Sequence, residues 1–328
     1  MKKIFFFIAC MTLTTMITIF PGATFGSDDW NGFAVKPALS IGYLHTLGNT
    51  SYSLAAHAGG LGGVVERTYD YDAYPSVYLE GKIPFMIGKR LEVVLSGSWA
   101  IPAGASEVAN MDYNPPGALL GGRTWDSKTN WLTANLQVSY AVVKNFHWLK
   151  SLAPIVGFRY DYGKTSFNNP HKVSPGFAAA APTDTADFNS SALQQYFGVA
   201  AILGDFKIGS FGGDLKLSAI GGWTPWGKVS HDEYRNGGPS NRYDQFSGHL
   251  DKGNYFVEIG AEYTMFSFAI AQRAEGSISV FTKYNLFHAT SEMDGVRSRS
   301  GAITELDTFD FKLDRSSVAL GLTGAIKF

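Results

Sequence analysis

Apolar and polar positions alternate with a period of two along most of this chain, and the alternation is clearest at its end. From Val318, every second residue (Val318, Leu320, Leu322, Gly324, Ile326, Phe328) is apolar or small, while Ser317, Ala319, Gly321, Thr323, Ala325 and Lys327 fill the other register. Side chains two apart on a strand share a face, so this segment has one greasy face and one that is not. A long strand stopping on an aromatic suits a barrel wall, with lipid outside and a polar lumen inside. An edge strand of a soluble sandwich is the plainer alternative. Leu91, Val93, Leu95, Gly97 and Trp99 share a face, as do Leu132, Ala134, Leu136, Val138, Tyr140 and Val142, and Tyr255, Val257, Ile259, Ala261 and Tyr263.

Ten such segments follow one another, at 33–46, 74–86, 90–101, 131–144, 152–167, 193–204, 213–228, 253–266, 276–290 and 315–328, each about the length a tilted membrane strand needs. Their connections alternate between brief ones, near 87–89, 145–151, 205–212 and 267–275, and long ones, near 47–73, 102–130, 168–192, 229–252 and 291–314. Short periplasmic turns against long surface loops give that rhythm and put both termini on the periplasmic side. The long connections hold the turn formers Gly59–Gly63, Asn114-Pro115-Pro116-Gly117 and Asn236-Gly237-Gly238-Pro239. The predicted fold is an all-β, transmembrane antiparallel β-barrel of about ten strands with long extracellular loops.

Composition sharpens the compartment. Met1-Lys2-Lys3, an uncharged apolar run over Ile4–Phe20 and the small residues Thr24 and Gly26 predict a secretory signal peptide at 1–26, leaving the barrel at 27–328. The single cysteine, Cys10, lies in that run, so the mature chain has no disulfide, thiolate or cysteine-zinc chemistry. With 27 Lys+Arg against 28 Asp+Glu there is no basic footprint for nucleic acid. A mean hydropathy near zero fits strands that are half lumen-facing. The histidines show no paired spacing for a metal. Strand parity places Glu80, Lys82, Glu92, Arg159, Asp161, Lys216, Glu258, Glu262 and Lys283 inside. Both signs in a narrow cylinder predict paired charges that plug the lumen rather than an ion-selective channel.

Leu39-Ser40-Ile41-Gly42-Tyr43-Leu44, Ser96-Gly97-Ser98-Trp99, Asn110-Met111-Asp112-Tyr113, Thr124-Trp125-Asp126-Ser127, Gly157-Phe158, Thr165-Ser166-Phe167, Gly222-Trp223 and Asp251-Lys252-Gly253-Asn254-Tyr255-Phe256 occur in an order and spacing that resembles the omptin family. Omptins are ten-stranded outer-membrane endopeptidases of Gram-negative bacteria. The resemblance implies a water nucleophile held between an Asp-x-Asp pair and a facing Asp-x-His pair. Asp112 occupies the first pair, with Asn110 where its partner aspartate would be. The facing pair falls in Ser230-His231-Asp232-Glu233, where His231 and Asp232 are adjacent and only His231 and Glu233 share a face if the segment is extended. A His231–Glu233 dyad opposite Asp112 would polarise a water, since Glu orients an imidazole as Asp does.

The resemblance also implies lipopolysaccharide as a bound lipid, with Lys164 near Tyr160 and Tyr162 on the lipid-facing register as the contact, and no cofactor. Other expected partners are peptide or host-surface ligands and the barrel-assembly machinery during insertion. Three functions stay open: a surface endopeptidase, a barrel without catalysis that serves adhesion, binding or envelope structure, and a small porin.

Overall fold

The computed structural model describes residues 33–47, 50–56, 66–71, 74–102, 106–114, 118–172, 183–208, 211–235, 242–250, 252–271, 274–299 and 302–327. The signal peptide, the Gly59–Gly63 and Asn236–Pro239 runs, residues 115–117 and Phe328 lie outside them. Sixteen strand segments run almost without interruption: β1 (Phe33–Val35), β2 (Ala38–Thr46), β3 (Thr50–Ala56), β4 (Glu66–Tyr71), β5 (Tyr74–Ile87), β6 (Leu91–Pro102), β7 (Ser106–Asn114), β8 (Ala118–Tyr140), β9 (Val143–Phe146), β10 (Leu149–Lys172), β11 (Thr185–Ile208), β12 (Phe211–Arg235), β13 (Arg242–His249), β14 (Lys252–Ala271), β15 (Ala274–Arg299) and β16 (Ala302–Lys327).

The pairings join these segments into ten staves. β2 and β3 lie end to end against β16, β4 and β5 continue one another beside them, and β6 and β7 both pair with β8. β13 and β14 likewise share the neighbours β12 and β15. The last stave closes the cylinder, pairing with β15 on one side and with the first stave on the other through Leu320↔Tyr43 and Leu313↔Tyr52. Closure removes both sheet edges, so the wall satisfies its own backbone groups, the condition for crossing lipid as strands.

The staves are much longer than their alternation predicts. Much of each stretch expected as a long loop is paired strand, and of 102–130 and 291–314 most is. The barrel therefore has two zones. In the zone nearer the termini, Leu39, Ile41, Leu136, Val156, Phe197, Leu217, Ile259, Leu320 and Leu322 are exposed on the outer face, with Trp99, Trp223, Trp226 and Tyr255 along one border and Tyr140, Phe206, Phe266 and Phe268 along the other. Tyr255 and Phe266 are eleven residues apart. At roughly 3.3 Å per residue and a tilt near 40°, that is a height of about 28 Å, matching a bilayer's apolar slab. Beyond the tryptophan border the outer face turns polar, with Glu66, Asp70, Lys128, Lys228, His249, Glu292, Asp294 and Lys312 exposed. This zone stands in water.

The interior inverts along with the exterior. Inside the membrane zone the lumen is polar. In the projecting zone it is filled by Tyr52, Leu54, Tyr69, Trp125, Phe167, Phe188, Phe246, Phe309 and Phe311, all buried. Between the two zones Trp131 lines the lumen, its ring stacked under the Arg315 guanidinium at 3.9 Å. That ring lies over Gly163, its cross-strand partner, where an added Cβ would collide with it. Gly163→Ala is expected to lower stability by about 1–3 kcal/mol, and much less in a Trp131→Ala background, as measured by urea unfolding of the refolded barrel in detergent.

Candidate functional site

His231 and Glu233 owe their inward direction to an extra residue in β12. Below the tryptophan border the buried side of β12 includes Thr224, whereas above it Gly227, Val229, His231 and Glu233 are the buried positions. The parity changes because Thr224 and Pro225 together oppose the single residue Gln194 of β11, a bulge between the pairs Leu193↔Trp226 and Gln195↔Trp223. Proline lacks the N–H a regular ladder needs, and bulges are where sheets accommodate it. Asp232 falls on the outer face, where its carboxylate accepts a hydrogen bond from the Tyr243 hydroxyl at 2.8 Å.

His231 is 0 % exposed. Its Nδ1 lies 2.9 Å from the Tyr52 hydroxyl and its Nε2 3.1 Å from the Tyr69 hydroxyl, so both ring nitrogens have partners. Tyr52 stacks between Tyr69 and Phe188, each with ring centroids 4.4 Å away. Burial among these rings holds the imidazole at about 4 instead of its ordinary 6.5; Glu233 opposes the shift and Arg67 adds to it. The ring is neutral at pH 7.

Glu233, also fully buried, belongs to the arginines rather than to His231. Arg235 Nε donates to one of its oxygens at 2.6 Å and Arg67 Nη1 to the other at 2.9 Å, with Arg123 Nη1 at 4.0 Å. Burial works against its charge, but Arg235 and Arg67 outweigh it and hold the carboxyl well below the ordinary carboxylate range. Arg123 also reaches Asp184 at 3.5 Å, and Asp244 joins Arg297 at 3.0 Å and Arg242 at 2.9 Å. A buried carboxylate is tolerable only when paired and hydrogen-bonded in this way.

In the backbone register, Asp112 sits opposite Arg67 and Asn110 opposite Tyr69, while the side chains of both lie outside the described residues. Tyr160, Tyr162 and Lys164 are on the outer register of β10, and the Lys164 ammonium meets Asp187 at 3.2 Å. Tyr52, Tyr69, Arg67, Arg123 and Arg235 are the residues that sequence reasoning missed. The one available signal was the alternation in Glu66-Arg67-Thr68-Tyr69-Asp70-Tyr71, where aromatics and Arg share a face.

Below this core, a cavity of about 400 Å³ occupies the membrane-zone lumen and is lined by the charges that parity placed there. Lys283 bonds both oxygens of Glu80, at 2.6 and 2.7 Å, and Lys82 reaches the same carboxylate at 3.2 Å. Arg159 spans Asp161 at 3.1 Å and Glu258 at 3.0 Å. Opposite charges pair across the lumen as expected, but they line a cavity there and do not plug it. Among the described residues, no group of three His, Cys, Asp or Glu could hold a metal ion.

The crystal structure of the outer membrane protease OmpT from Escherichia coli matches 92% of this chain and 99% of its own, with a TM-score of 0.61. The fold is that of an outer-membrane β-barrel. Sequence identity to the protease is 11%, which extends to the barrel and not to its chemistry. The outer membrane protein OprG from Pseudomonas aeruginosa covers 90% of this chain and 97% of its own at 10% identity, but its TM-score of 0.31 is too loose a likeness to bear on this barrel. No protein-family model matches the chain, and no curated protein matches it in sequence.

Two measurements follow from the buried cluster of this outer-membrane barrel. Glu233→Gln strips the counter-charge from Arg67 and Arg235 and is expected to cost about 3–5 kcal/mol in urea unfolding. For His231, the unfolded ring takes its proton near 6.5 and the folded ring only at about 4. Between those values the unfolded state binds more protons, so this contribution is complete above pH 6.5 and is lost as pH falls toward 4. The thermal midpoint of the wild type should drop more steeply over that window than that of His231→Gln.

Proposed function

We propose that this chain is a non-catalytic outer-membrane barrel, sealed through its lumen, whose projecting zone serves binding or envelope structure at the cell surface. Residues 1–26 direct its export, the barrel-assembly machinery inserts it, and both termini lie in the periplasm, so the arginine-rich end faces outward. The observation that carries this reading is the state of the His231–Glu233 pair. An Asp/His-activated water needs a ring nitrogen free to take its proton and room beside it. Here both nitrogens are held by Tyr52 and Tyr69, the carboxylate that would orient the ring is bonded to Arg235 and Arg67, and aromatic side chains fill the surrounding space.

The aromatic core argues equally against a small porin, because the cavity of the membrane zone ends beneath it. Lipopolysaccharide remains the natural lipid neighbour, with Lys164, beside Tyr160 and Tyr162, at headgroup height on the outer face. The refolded protein, with lipopolysaccharide present, is expected to leave a cationic peptide library uncut and to give no conductance steps in planar bilayers. Cleavage that disappears in Asp112→Ala and His231→Ala would restore the endopeptidase, and steady single-channel currents would restore the porin.

A further inference from the structure

The far rim carries a row of arginines. Arg235 at the end of β12 is the direct cross-strand partner of Arg242 at the start of β13, and Arg242 is in turn the partner of Arg299 at the end of β15. Like charges placed directly opposite one another weaken a sheet, and Arg235 and Arg242 are such a pair. Arg297, one position inward of that row on the same strand face, bonds Asp244. Among the described residues, five arginines (Arg67, Arg123, Arg235, Arg242 and Arg297) gather around three carboxylates, those of Glu233, Asp184 and Asp244. Arg235 commits its Nε to Glu233, while its Nη2 is buried with no hydrogen-bond partner. The repulsion is felt at Arg242, whose guanidinium is held below its ordinary range by burial and by Arg235, against the pull of Asp244.

We propose that the Arg235–Arg242 pair at this rim is a binding site for a tetrahedral oxyanion, a sulfate or phosphate group carried by a ligand arriving from solution. The carboxylates in place are already committed: Asp244 meets the Arg242 fork with both oxygens and takes Arg297 as well, and Glu233 divides its oxygens between Arg235 and Arg67. Adjacent strands are about 4.8 Å apart, a gap that a sulfate or phosphate spans by presenting separate oxygens to each of two neighbouring arginines. Height selects the source. Arg235 is nine residues beyond Trp226, which at 3.3 Å per residue and a tilt near 40° puts it roughly 20 Å above the tryptophan border. Phosphates of a lipid headgroup lie far below it. The site names a ligand class for the barrel described above and rests on that reading only for which end faces outward.

The test is calorimetric titration of the refolded barrel, in zwitterionic detergent at low ionic strength, with inorganic sulfate, sulfated dextran and neutral dextran. Sulfate and sulfated dextran should bind and neutral dextran should not, with binding weakened by added sodium chloride. Arg235→Gln/Arg242→Gln should bind about tenfold more weakly or worse, since each charged hydrogen bond lost is worth roughly 1.5–3 kcal/mol. Vesicles containing phosphatidylglycerol should not distinguish the two proteins. If the double variant fails to refold, Arg242→Lys, which keeps the charge and loses the fork, should show a smaller loss in the same direction. No binding by the wild type, equal binding by a folded variant, or a loss confined to the vesicles would overturn the site. Peptide cleavage is read separately, so a failed titration leaves the non-catalytic reading standing, and observed cleavage leaves the anion site standing.

Discussion

In a closed barrel, a single-residue step decides on which side of the wall a side chain lies, and the whole projecting zone depends on one such step. Without the bulge at Thr224–Pro225, the buried register of β12 would carry Asp232 into the core and turn His231 and Glu233 out to water. Arg235 shares their face and would turn out with them, a carboxylate would still be inside but one position from where Arg67 meets Glu233, and the Tyr52 and Tyr69 hydroxyls would lose the imidazole they share. A slip of register in a sheet moves every later residue, so the bulge fixes one charged centre and one aromatic centre together.

The two zones are inverted because their surroundings are. Where lipid covers the outside, apolar side chains gain by facing outward, and the lumen is free to hold Glu80, Lys283, Arg159 and Glu258 in paired form around a cavity. Above the lipid, the outer face meets water and offers no apolar solvent. The wall there must bury its hydrophobic side chains inside, as a soluble domain does. Tyr52, Phe167, Phe246 and Phe311 are that core. The aromatic filling of the projecting zone is thus a consequence of the staves running on beyond the membrane.

The same inversion explains what was legible in the sequence. Staves inside the bilayer alternate greasy against polar with the greasy face outward, and ten were readable in order along with their lumen charges. Above the border the alternation persists but its sense reverses: Glu66, Thr68 and Asp70 point out while Arg67, Tyr69 and Tyr71 point in. Short segments of that kind, split by glycine-rich sequence, read as loops when the template is a lipid-facing strand. The shared face of His231 and Glu233 was legible from spacing alone. Their partners were not, because Arg67 is 166 residues from Glu233, and Tyr52 179 residues from His231. Contacts across a barrel leave no local trace in the chain.

Fold likeness does not carry site likeness here, for a physical reason. The binary pattern that builds a ten-stave cylinder is satisfied by many sequences, and an identity of 11% to a protease of the same fold over nearly the full length is what such tolerance produces. A catalytic water asks for much more: an accessible nitrogen, a carboxylate free to orient it and a groove. In this chain His231 and Glu233 are drawn into packing. His231 serves as a neutral, doubly hydrogen-bonded member of an aromatic cluster, and Glu233 as the counter-ion that lets Arg67 and Arg235 lie inside a wall surrounded by water. Opening a groove there would remove the apolar contacts and the charge pairing by which the projecting staves hold together.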